Sequence, residues 1–201
     1  MQPDSPTDIP PAAPLKVEKG FALWLFGPPA AGKTTVAKAL KERLEKLDVP
    51  VVLFDGDVTR GIVGEGIGRS AEDRVLLTRR YCSLTSYLSD SRVIIILAAI
   101  NHTNAQRAYA RDHHRKGQFG LVWIKTPMET CMERDPKGLY VKAREAIARG
   151  ESPNVVGLDI AFEDPLDHDV VISTETETPE AASAKIVDFL VEAGSLKPAA
   201  P

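Results

Sequence analysis

The sequence predicts an α/β fold in which a five-stranded parallel sheet carries helices on both faces. Five short apolar runs are separated by longer segments with helical spacing of apolar residues, a pattern that favours parallel strands joined by helical crossovers. A glycine-rich segment joins the first apolar run to the first helical segment. The length of 201 residues suits one domain of this class.

The strand candidates are short, apolar and rich in β-branched residues. They are Ala22–Phe26, Val51–Phe54, Val93–Ala98, Leu121–Lys125 and Val170–Ile172. The first of them leads directly into the glycine-rich segment. The longest apolar run, Val93–Ile100, is far shorter than the roughly 20 residues that span a bilayer, and it predicts a central strand. In such a sheet, ligands bind beyond the carboxyl ends of the strands.

The helix candidates lie between these strands. They are Lys33–Leu47, Ala71–Leu88, Thr103–Lys116, Met128–Arg134, Leu139–Arg149 and Pro179–Glu192. The first has apolar residues at Val36, Leu40 and Leu44, which share one helix face. The last follows Thr178 with a proline in its first turn, which is a common helix start.

The two ends of the chain differ in composition from the middle. We expect a disordered leader at residues 1–18, because five of the fifteen prolines precede residue 15. The folded domain is expected at residues 19–193, followed by a flexible tail at residues 194–201.

Bulk charge and cysteine content restrict the partners and the compartment. The formal net charge of −3 argues against a nucleic-acid partner, and no apolar segment predicts a membrane anchor. Cys82 and Cys131 lie far apart in sequence and form no C-x-x-C pair. A disulfide framework or a zinc site is therefore not expected, and a cytoplasmic location is the prediction.

The glycine-rich segment fits the phosphate-binding loop pattern G-x-x-x-x-G-K-[ST]. It reads Gly27, Pro28, Pro29, Ala30, Ala31, Gly32, Lys33, Thr34, with Thr35 opening the helix after it. Backbone N–H groups of such a loop surround an anion, and the helix directs its positive end at the same place. Lys33 would neutralise terminal phosphates and the Thr34 hydroxyl would ligate Mg²⁺. The segment therefore predicts binding of a nucleoside triphosphate.

A second group of polar residues follows the second predicted strand. Asp55 and Asp57 are two residues apart at its carboxyl end, and Arg60 comes just after them. Two carboxylates facing a phosphate loop suit Mg²⁺ handling or deprotonation of an acceptor hydroxyl. Considered alone, the Asp-Gly pair is more typical of an ordinary turn than of such a site.

Three basic segments further along the chain have an order that points to a family. One is Ser70-x-x-Asp73-Arg74, the next is Arg79-Arg80, and the third is Arg134-Asp135-Pro136-Lys137-Gly138-Leu139-Tyr140 with Lys142 and Arg144 after it. Singly, such clusters are typical of solvated helix faces. Together with the phosphate loop they resemble the adenylylsulfate kinase family, from about residue 20 to residue 190. The 134–144 block is the most specific part of this resemblance.

The resemblance implies an activity and a set of site residues. Members of that family have a P-loop kinase fold and transfer the γ-phosphoryl group of ATP to the 3′-hydroxyl of adenosine 5′-phosphosulfate (APS), which gives PAPS. By position, the loop residues and Arg134 would bind ATP with Mg²⁺ at Thr34 and Asp57, and Lys33 and Asp57 would be catalytic. The acceptor would contact Asp55, Asp57, Arg60, Arg74, Asn101 and Lys142. Arg134, Lys137 and Lys142 would belong to a mobile lid, and dimers are common in the family.

The acceptor side departs from the family pattern. Family members hold the adenine of APS between two aromatic residues, and this chain has Arg69 and Val155 at those two positions. Each such stack contributes about 1–3 kcal/mol in nucleic-acid binders. Phe162 or the guanidinium plane of Arg69 would be the substitutes. Further departures are Val58, Leu77 and the segment Ile100-Asn101-His102-Thr103, which stands where the family has I-S-P-Y.

These departures leave more than one function open. APS is the expected acceptor, and another anionic nucleotide-like molecule is the first alternative, because Arg60 and Arg74 are retained. A catalytically silent nucleotide-binding module is a second alternative. A GTPase-like switch is disfavoured, since the chain has no N-K-x-D motif and no D-x-x-G after the third predicted strand.

Four weaker candidates have two readings each. His102 could contact the acceptor or make a single loop hydrogen bond, and Arg79-Arg80 could reach the acceptor or be solvated. The pair His113-His114 is predicted to lie on a solvated basic helix face. The acidic stretch from Glu163 to Asp169 is interpreted as a turn rather than a metal site, because it lacks fixed ligand spacing.

Overall fold

The computed structural model describes residues 14–199 of the chain. The strands are β1 (Leu15–Val17), β2 (Phe21–Phe26), β3 (Val51–Asp55), β4 (Ile94–Ala98), β5 (Phe119–Lys125), β6 (Val170–Ser173) and β7 (Leu196–Pro198). The helices are α1 (Lys33–Lys46), α2 (Gly56–Val63), α3 (Ala71–Ser89), α4 (Asn104–His113), α5 (Met128–Arg134), α6 (Leu139–Ala148) and α7 (Pro179–Glu192). All five predicted strands and all six predicted helices are present, within a few residues at each end.

Five parallel strands form the main sheet in the order β3-β4-β2-β5-β6. The central strand β2 is buried on both faces, because Phe21, Leu23 and Leu25 enter one core cluster while Trp24 and Phe26 enter the other. Helices α1, α5, α6 and α7 cover the first face, and α3 and α4 cover the second. The predicted fold class is confirmed.

This topology brings separate segments of the chain to one edge of the sheet. Because the strands are parallel, the phosphate loop after β2, Asp55 at the end of β3 and Asn101 after β4 share the carboxyl edge. The Gly27 amide donates to the Ile100 carbonyl at 3.3 Å, which ties the loop to the segment after β4. Within residues 14–199, no helix is both long and apolar enough to cross a membrane.

The two ends of the described chain pair with each other, contrary to the expectation of disorder up to residue 18 and from residue 194. Strands β1 and β7 are antiparallel, with Leu15 opposite Pro198. Val17 and Leu196 are buried, so this small sheet extends the core that α7 covers. Three-residue strands give too short a pattern to be detected beside prolines. The rest of the predicted leader and tail (residues 1–13 and 200–201) lies outside the described residues.

Helix α2 was not predicted, although its start has a clear cap. The Asp55 side chain accepts a hydrogen bond from the Asp57 amide at 3.0 Å, so Asp55 is the N-cap of α2. A glycine at the first helical position favoured the turn interpretation. Asp55 and Asp57 therefore lie on a strand-to-helix junction.

His114 is part of the core rather than of a solvated face, so the prediction for it was wrong, whereas His113 is exposed. The chain turns at the end of α4 and inserts the ring beside Phe119, at a centroid distance of 4.4 Å. Its Nδ1 donates to the Ala110 carbonyl at 2.7 Å, and its Nε2 lies 2.9 Å from the Thr85 hydroxyl. Burial lowers the pKa of His114 to about 4.

We expect His114 to make the fold sensitive to mild acid. Since the folded state lowers its pKa from 6.5 to about 4, the unfolded chain binds more protons between these values. Stability is thus complete above pH 6.5 and falls by about 3 kcal/mol as the pH approaches 4. Urea unfolding from pH 4 to 7 should show this slope weakened in His114→Gln and unchanged in His113→Gln. Equal slopes in all three proteins would contradict the assignment.

Candidate active site

The phosphate loop has the backbone conformation that an anion cradle requires. Gly27 has φ 156° and Gly32 has φ 99°, and a Cβ on Gly27 would lie 2.6 Å from the Ile124 carbonyl oxygen. Gly32 is also the N-cap of α1. Because no side chain caps this end of the helix, the first amides of α1 remain free to bind an anion in the loop. A hydrogen bond from the residue after β5 stabilises the loop: the Thr126 hydroxyl donates to the Ala31 carbonyl at 2.9 Å.

Lys33 is the cation enclosed by this loop. Its ammonium donates to the Gly27 carbonyl at 3.0 Å and to the Pro28 carbonyl at 2.7 Å. Burial lowers its pKa to about 8, although Cys131, Asp57 and Asp55 act in the opposite direction. The side chain is therefore a partly desolvated cation whose charge is not balanced by an ion pair among the residues described. An anionic ligand would restore its ordinary pKa.

ATP binding should consequently take up protons in mildly alkaline solution. A nucleotide that pairs with charged Lys33 raises its pKa, so affinity is highest below pH 8 and decreases as the pH rises through that value. Titration calorimetry at pH 8.5 in buffers of different ionisation enthalpy should show proton uptake on binding of Mg·ATP. Lys33→Met should show none, and equal uptake in both proteins would refute the role of Lys33.

Thr34 and the carboxylate pair meet across the sheet edge. The Thr34 hydroxyl donates to Asp55 Oδ2 at 2.8 Å, and Asp55 Oδ1 accepts from the Asp57 amide. The structure thus brings Asp55 to the predicted metal-binding hydroxyl, whereas the Asp57 side chain projects from α2 and is exposed. Both acidic residues lie beside the loop, in different surroundings.

The oxygen donors at this edge fit a magnesium ion. Mg²⁺ is usually bound by a hydroxyl and one or two carboxylates, with phosphates and water completing its coordination. Thr34 Oγ1 and Asp55 Oδ2 are already adjacent, and Asp57 follows two residues later. No cluster of three or more His, Cys, Asp or Glu residues that could hold a metal occurs between residues 14 and 199, which includes the acidic stretch after Phe162.

The 134–144 block brings a basic residue, Lys137, to Asp57 of the carboxylate pair. Asp135 caps α6 by accepting from the amides of Leu139, Tyr140 and Val141 at 2.7–3.1 Å. This cap shapes a tight turn, with Gly138 at φ 62°, that carries Lys137 between α5 and α6. The Lys137 ammonium contacts the Asp57 carboxylate, which raises the pKa of Lys137.

The other predicted residues of this block differ in their placement. Arg134 donates to the hydroxyl and the carbonyl of Thr174 at 2.9 and 3.2 Å, and the Thr174 hydroxyl contacts the Ala31 carbonyl at 3.2 Å. Arg134 therefore lies next to the phosphate loop. Lys142 is exposed on α6 and is not brought to the other site residues by a hydrogen bond or ion pair within residues 14–199.

Two arginines lie together beside the carboxylates. Arg74 Nη2 donates to the Asn154 carbonyl at 2.6 Å, and Arg60 Nη2 donates to the Ile67 carbonyl at 3.0 Å. Burial lowers the pKa of Arg74, and the neighbouring positive charges of Arg60 and Arg69 add to this effect. Like charges held together without a carboxylate ion pair attract anions. The acceptor role of Arg60 and Arg74 stays a prediction.

The structure shows where the residues lie that replace the two aromatic residues of the family. Val155 is buried in the main core with 4% of its surface exposed, so its side chain is not available to stack on a ligand. Arg69 is exposed at the start of α3. Phe162 is partly buried, and one guanidinium, that of Arg107, lies 5.6 Å from its ring centroid.

The segment after β4 contains two buried polar residues. Asn101 has φ 43° and is 6% exposed, and His102 is 8% exposed. Burial lowers the pKa of His102, and the positive charges of Arg74 and Arg107 have the same effect, whereas Glu163 acts in the opposite direction. Asn101 and His102 follow β4 at the carboxyl edge of the sheet, next to Ile100, whose carbonyl contacts the phosphate loop.

Arg79 and Arg80 each contact a neighbouring helix. Arg79 lies over the Tyr109 ring at 5.7 Å, and Arg80 Nη1 donates to the Val63 carbonyl at 2.7 Å. Of the two readings of this pair, the structure supports the one in which both residues serve the helix surface.

Sequence reasoning missed several residues that support the loop. Thr126 and Thr174 hold Ala31 from behind, and their hydroxyls are 2.7 Å apart. The buried Tyr140 hydroxyl donates to the Pro29 carbonyl at 3.2 Å and connects the start of α6 to the loop. A threonine directly after each of two neighbouring strands, β5 and β6, was the available signal for the first pair.

A parallel sheet whose first βα junction is a phosphate loop, and whose next strand delivers a carboxylate to the loop threonine, defines a P-loop kinase. The particular family follows from comparison with known proteins. The family model described as adenylylsulphate kinase matches residues 19–173, more than half of the chain. The chain therefore belongs to the adenylylsulphate kinase family.

Relatives and a solved structure agree with this assignment. An adenylyl-sulfate kinase of Vibrio vulnificus is 37% identical over 185 residues, which cover 92% of this chain and 86% of the relative. One from Rippkaea orientalis is 36% identical and covers 91% of this chain and 98% of the relative. A Mycobacterium tuberculosis APS kinase, solved in complex with AMPPNP and APS, superposes with a TM-score of 0.79 at 28% identity, over 86% of this chain and 98% of that one.

Proposed function

We propose that this chain transfers the γ-phosphoryl group of ATP to the 3′-hydroxyl of APS, giving PAPS and ADP. The observation that carries the proposal is the junction of two half-sites at one sheet edge. The Lys33–Thr34 loop meets Asp55 at 2.8 Å, and Asp57 with Arg60 follows on α2. A phosphate cradle, a carboxylate and an anion site in this order are what phosphoryl transfer to an anionic alcohol needs.

On the donor side, the loop amides and Lys33 would bind the β- and γ-phosphates. Lys33 already lies within hydrogen-bond distance of two loop carbonyls, so its ammonium needs little movement to reach a phosphate oxygen. Charge that develops on the transferred group would be stabilised by Lys33 and by the first amides of α1. Magnesium bound through Thr34 and the carboxylates would neutralise phosphate charge and hold the two ends in line.

On the acceptor side, Asp57 would accept the proton of the attacking hydroxyl. The carboxylate is exposed at the start of α2 and contacts Lys137 from the α5–α6 turn. When an acceptor enters, Lys137 can transfer its contact from Asp57 to the transferred phosphate, which would free the carboxylate and complete the positive surroundings. Arg60 and Arg74 would hold the phosphosulfate end through bidentate hydrogen bonds.

A different acceptor is the second candidate, and one observation favours it. Arg69 lies where the family has an aromatic residue, and it adds a third positive charge beside Arg60 and Arg74. A more highly charged end group, such as that of a nucleoside diphosphate, would suit three guanidiniums better than the doubly charged phosphosulfate.

ADP release with Mg·ATP tests both candidates. The acceptors are APS, GDP, 5′-AMP and water alone, each also assayed with EDTA. We expect saturable release with APS that needs magnesium and exceeds the rate with water. Release with GDP as acceptor and none with APS would replace sulfate activation by the second candidate. Release no faster than with water for every acceptor would favour a silent nucleotide-binding module.

Assembly and location stay predictions. We expect a cytoplasmic enzyme, a prediction that agrees with the two cysteines, Cys82 and Cys131, both being free and buried. A homodimer is expected from the family resemblance, and sedimentation at several protein concentrations would detect it.

A further inference from the structure

Arg107 is a charged side chain that the fold buries almost completely. It lies on α4, and only 1% of its surface is exposed. Its guanidinium donates to the Asn101 carbonyl at 2.6 Å, to Asn104 Oδ1 at 2.7 Å and to the Glu163 carbonyl at 2.9 Å. Burial of a guanidinium is costly unless protein oxygens replace water. These three acceptors serve that purpose for the two terminal nitrogens; Asn101 and Glu163 lie in loops at the carboxyl edge of the sheet, and Asn104 is the first residue of α4.

The flat faces of the same guanidinium lie against two rings. The Phe26 centroid is 5.0 Å from the central carbon of Arg107, and the Phe162 centroid is 5.6 Å from it. Phe26 is the last residue of β2 and directly precedes Gly27 of the phosphate loop. Arg107 thus contacts the strand that leads into the phosphate loop, the segment after β4 in which the chain departs from the family's I-S-P-Y, and the segment around Phe162 and Glu163.

Further hydrogen bonds join those two segments around Arg107. The Glu163 amide donates to the His102 carbonyl at 2.9 Å, and the Asn104 amide donates to the Glu163 carboxylate at 2.6 Å. Asn104 also reaches the Asp164 carbonyl and the Leu166 amide, both at 3.0 Å. The loop after β4 and the loop before β6 therefore form one unit, with the guanidinium at its centre.

Two buried donors of this unit, Asn101 Nδ2 and Arg107 Nε, have no hydrogen-bond partner among the residues described. Of the two residues, Asn101 is the one that lies in the loop beside the phosphate loop. Its backbone has a left-handed conformation, φ 43°, which asparagine tolerates. Arg107 holds its carbonyl, and the preceding Ile100 carbonyl is held by the Gly27 amide. A buried amide fixed on both sides and left without a protein partner is suited to a ligand oxygen.

We propose that Arg107 is a positioning residue for the acceptor, acting through Asn101, whose amide donates to an oxygen of the bound nucleotide. This inference rests on the proposed function, because it assumes that an anionic nucleotide binds on this side of the phosphate loop. It assigns Arg107 no part in proton or phosphoryl transfer. It also explains how the chain uses the segment in which it departs from the family's I-S-P-Y.

Replacement of Arg107 by lysine tests the inference. Lysine keeps the charge but cannot reach three oxygens in a plane. We expect Arg107→Lys to raise the KM for APS about tenfold while the KM for ATP changes less than about twofold. Arg111→Lys is the matched control, since Arg111 lies one turn later on α4 and pairs with Asp167 and Asp169. It should leave both KM values unchanged.

A double-mutant cycle tests whether Arg107 acts through Asn101. Asn101→Gly removes the amide and keeps the left-handed backbone accessible. If Arg107 serves to place Asn101, the KM for APS of the double variant should equal that of Asn101→Gly alone. Multiplied effects of the two substitutions, or equal changes in the KM for ATP and for APS, would overturn the inference.

The outcomes separate this inference from the proposed function. If wild type uses another acceptor, the same cycle is run with that molecule. If wild type transfers to none, calorimetric binding of APS replaces KM, and loss of APS binding in both single variants would support the inference while the proposed activity fails. No APS binding by wild type would overturn both. Should Arg107→Lys fail to fold, Asn104→Ser removes one of the three acceptors of the guanidinium and should raise the acceptor KM by a smaller factor.

Discussion

Asp57→Asn should lower the rate of phosphoryl transfer by about 10²–10⁴ while the affinity for ATP stays within about twofold of wild type. The amide has the shape of the carboxylate but cannot accept the proton of an attacking hydroxyl. Asp57 is exposed and contacts Lys137 alone among the described side chains, so the fold does not depend on it. Single-turnover transfer measures the rate, and calorimetry measures nucleotide affinity.

The control for Asp57 is a carboxylate outside the site. Asp112→Asn changes an exposed residue of α4 and should leave rate and affinity unaltered. Turnover of Asp57→Asn at the wild-type rate would remove the proposed base and leave Asp55 as the candidate. Loss of ATP binding together with rate would assign Asp57 to the donor site instead.

Lys33→Met should lower the transfer rate by about 10²–10³ and also weaken ATP binding, about tenfold. Methionine keeps much of the side-chain volume but removes the one cation that the loop itself carries. In the fold, Lys33 bonds only to the Gly27 and Pro28 carbonyls, so the substitution should change the melting temperature little. Stopped-flow nucleotide binding and single-turnover transfer measure the two effects separately.

Lys38→Met on the same helix is the matched control, because Lys38 is exposed and lies away from the loop. Wild-type behaviour is expected for it. A Lys33→Met variant that transfers phosphate at the wild-type rate would contradict the placement of the γ-phosphate in this loop.

The donor half of the site was largely predictable from sequence because its pattern is local. Gly27, Gly32, Lys33 and Thr34 are fixed in spacing by one strand-loop-helix unit, and the unit formed as predicted. The contact between Asp55 and the Thr34 hydroxyl joins residues 21 positions apart in sequence. It depends on the strand order, in which only β4 lies between β3 and β2. A strand order of this kind cannot be read from spacing alone.

The acceptor half depends on long-range contacts and was less predictable. Arg107 had no motif of its own, and one of its partners, Glu163, lies 56 residues later in the chain. His114 looked solvated in a run of basic residues, but a break at the end of α4 turns it into the core. The short strands β1 and β7 pair the two ends of the described chain, a contact that local composition does not indicate.

Transfer of labelled phosphate from [γ-³²P]ATP to APS, followed by treatment of the product with a 3′-nucleotidase, tests the central claim most directly. We predict a labelled nucleotide that forms only with magnesium and the wild-type chain, and that releases its label to the 3′-nucleotidase. Label that appears only as inorganic phosphate, or only on an acceptor other than APS, would contradict the account.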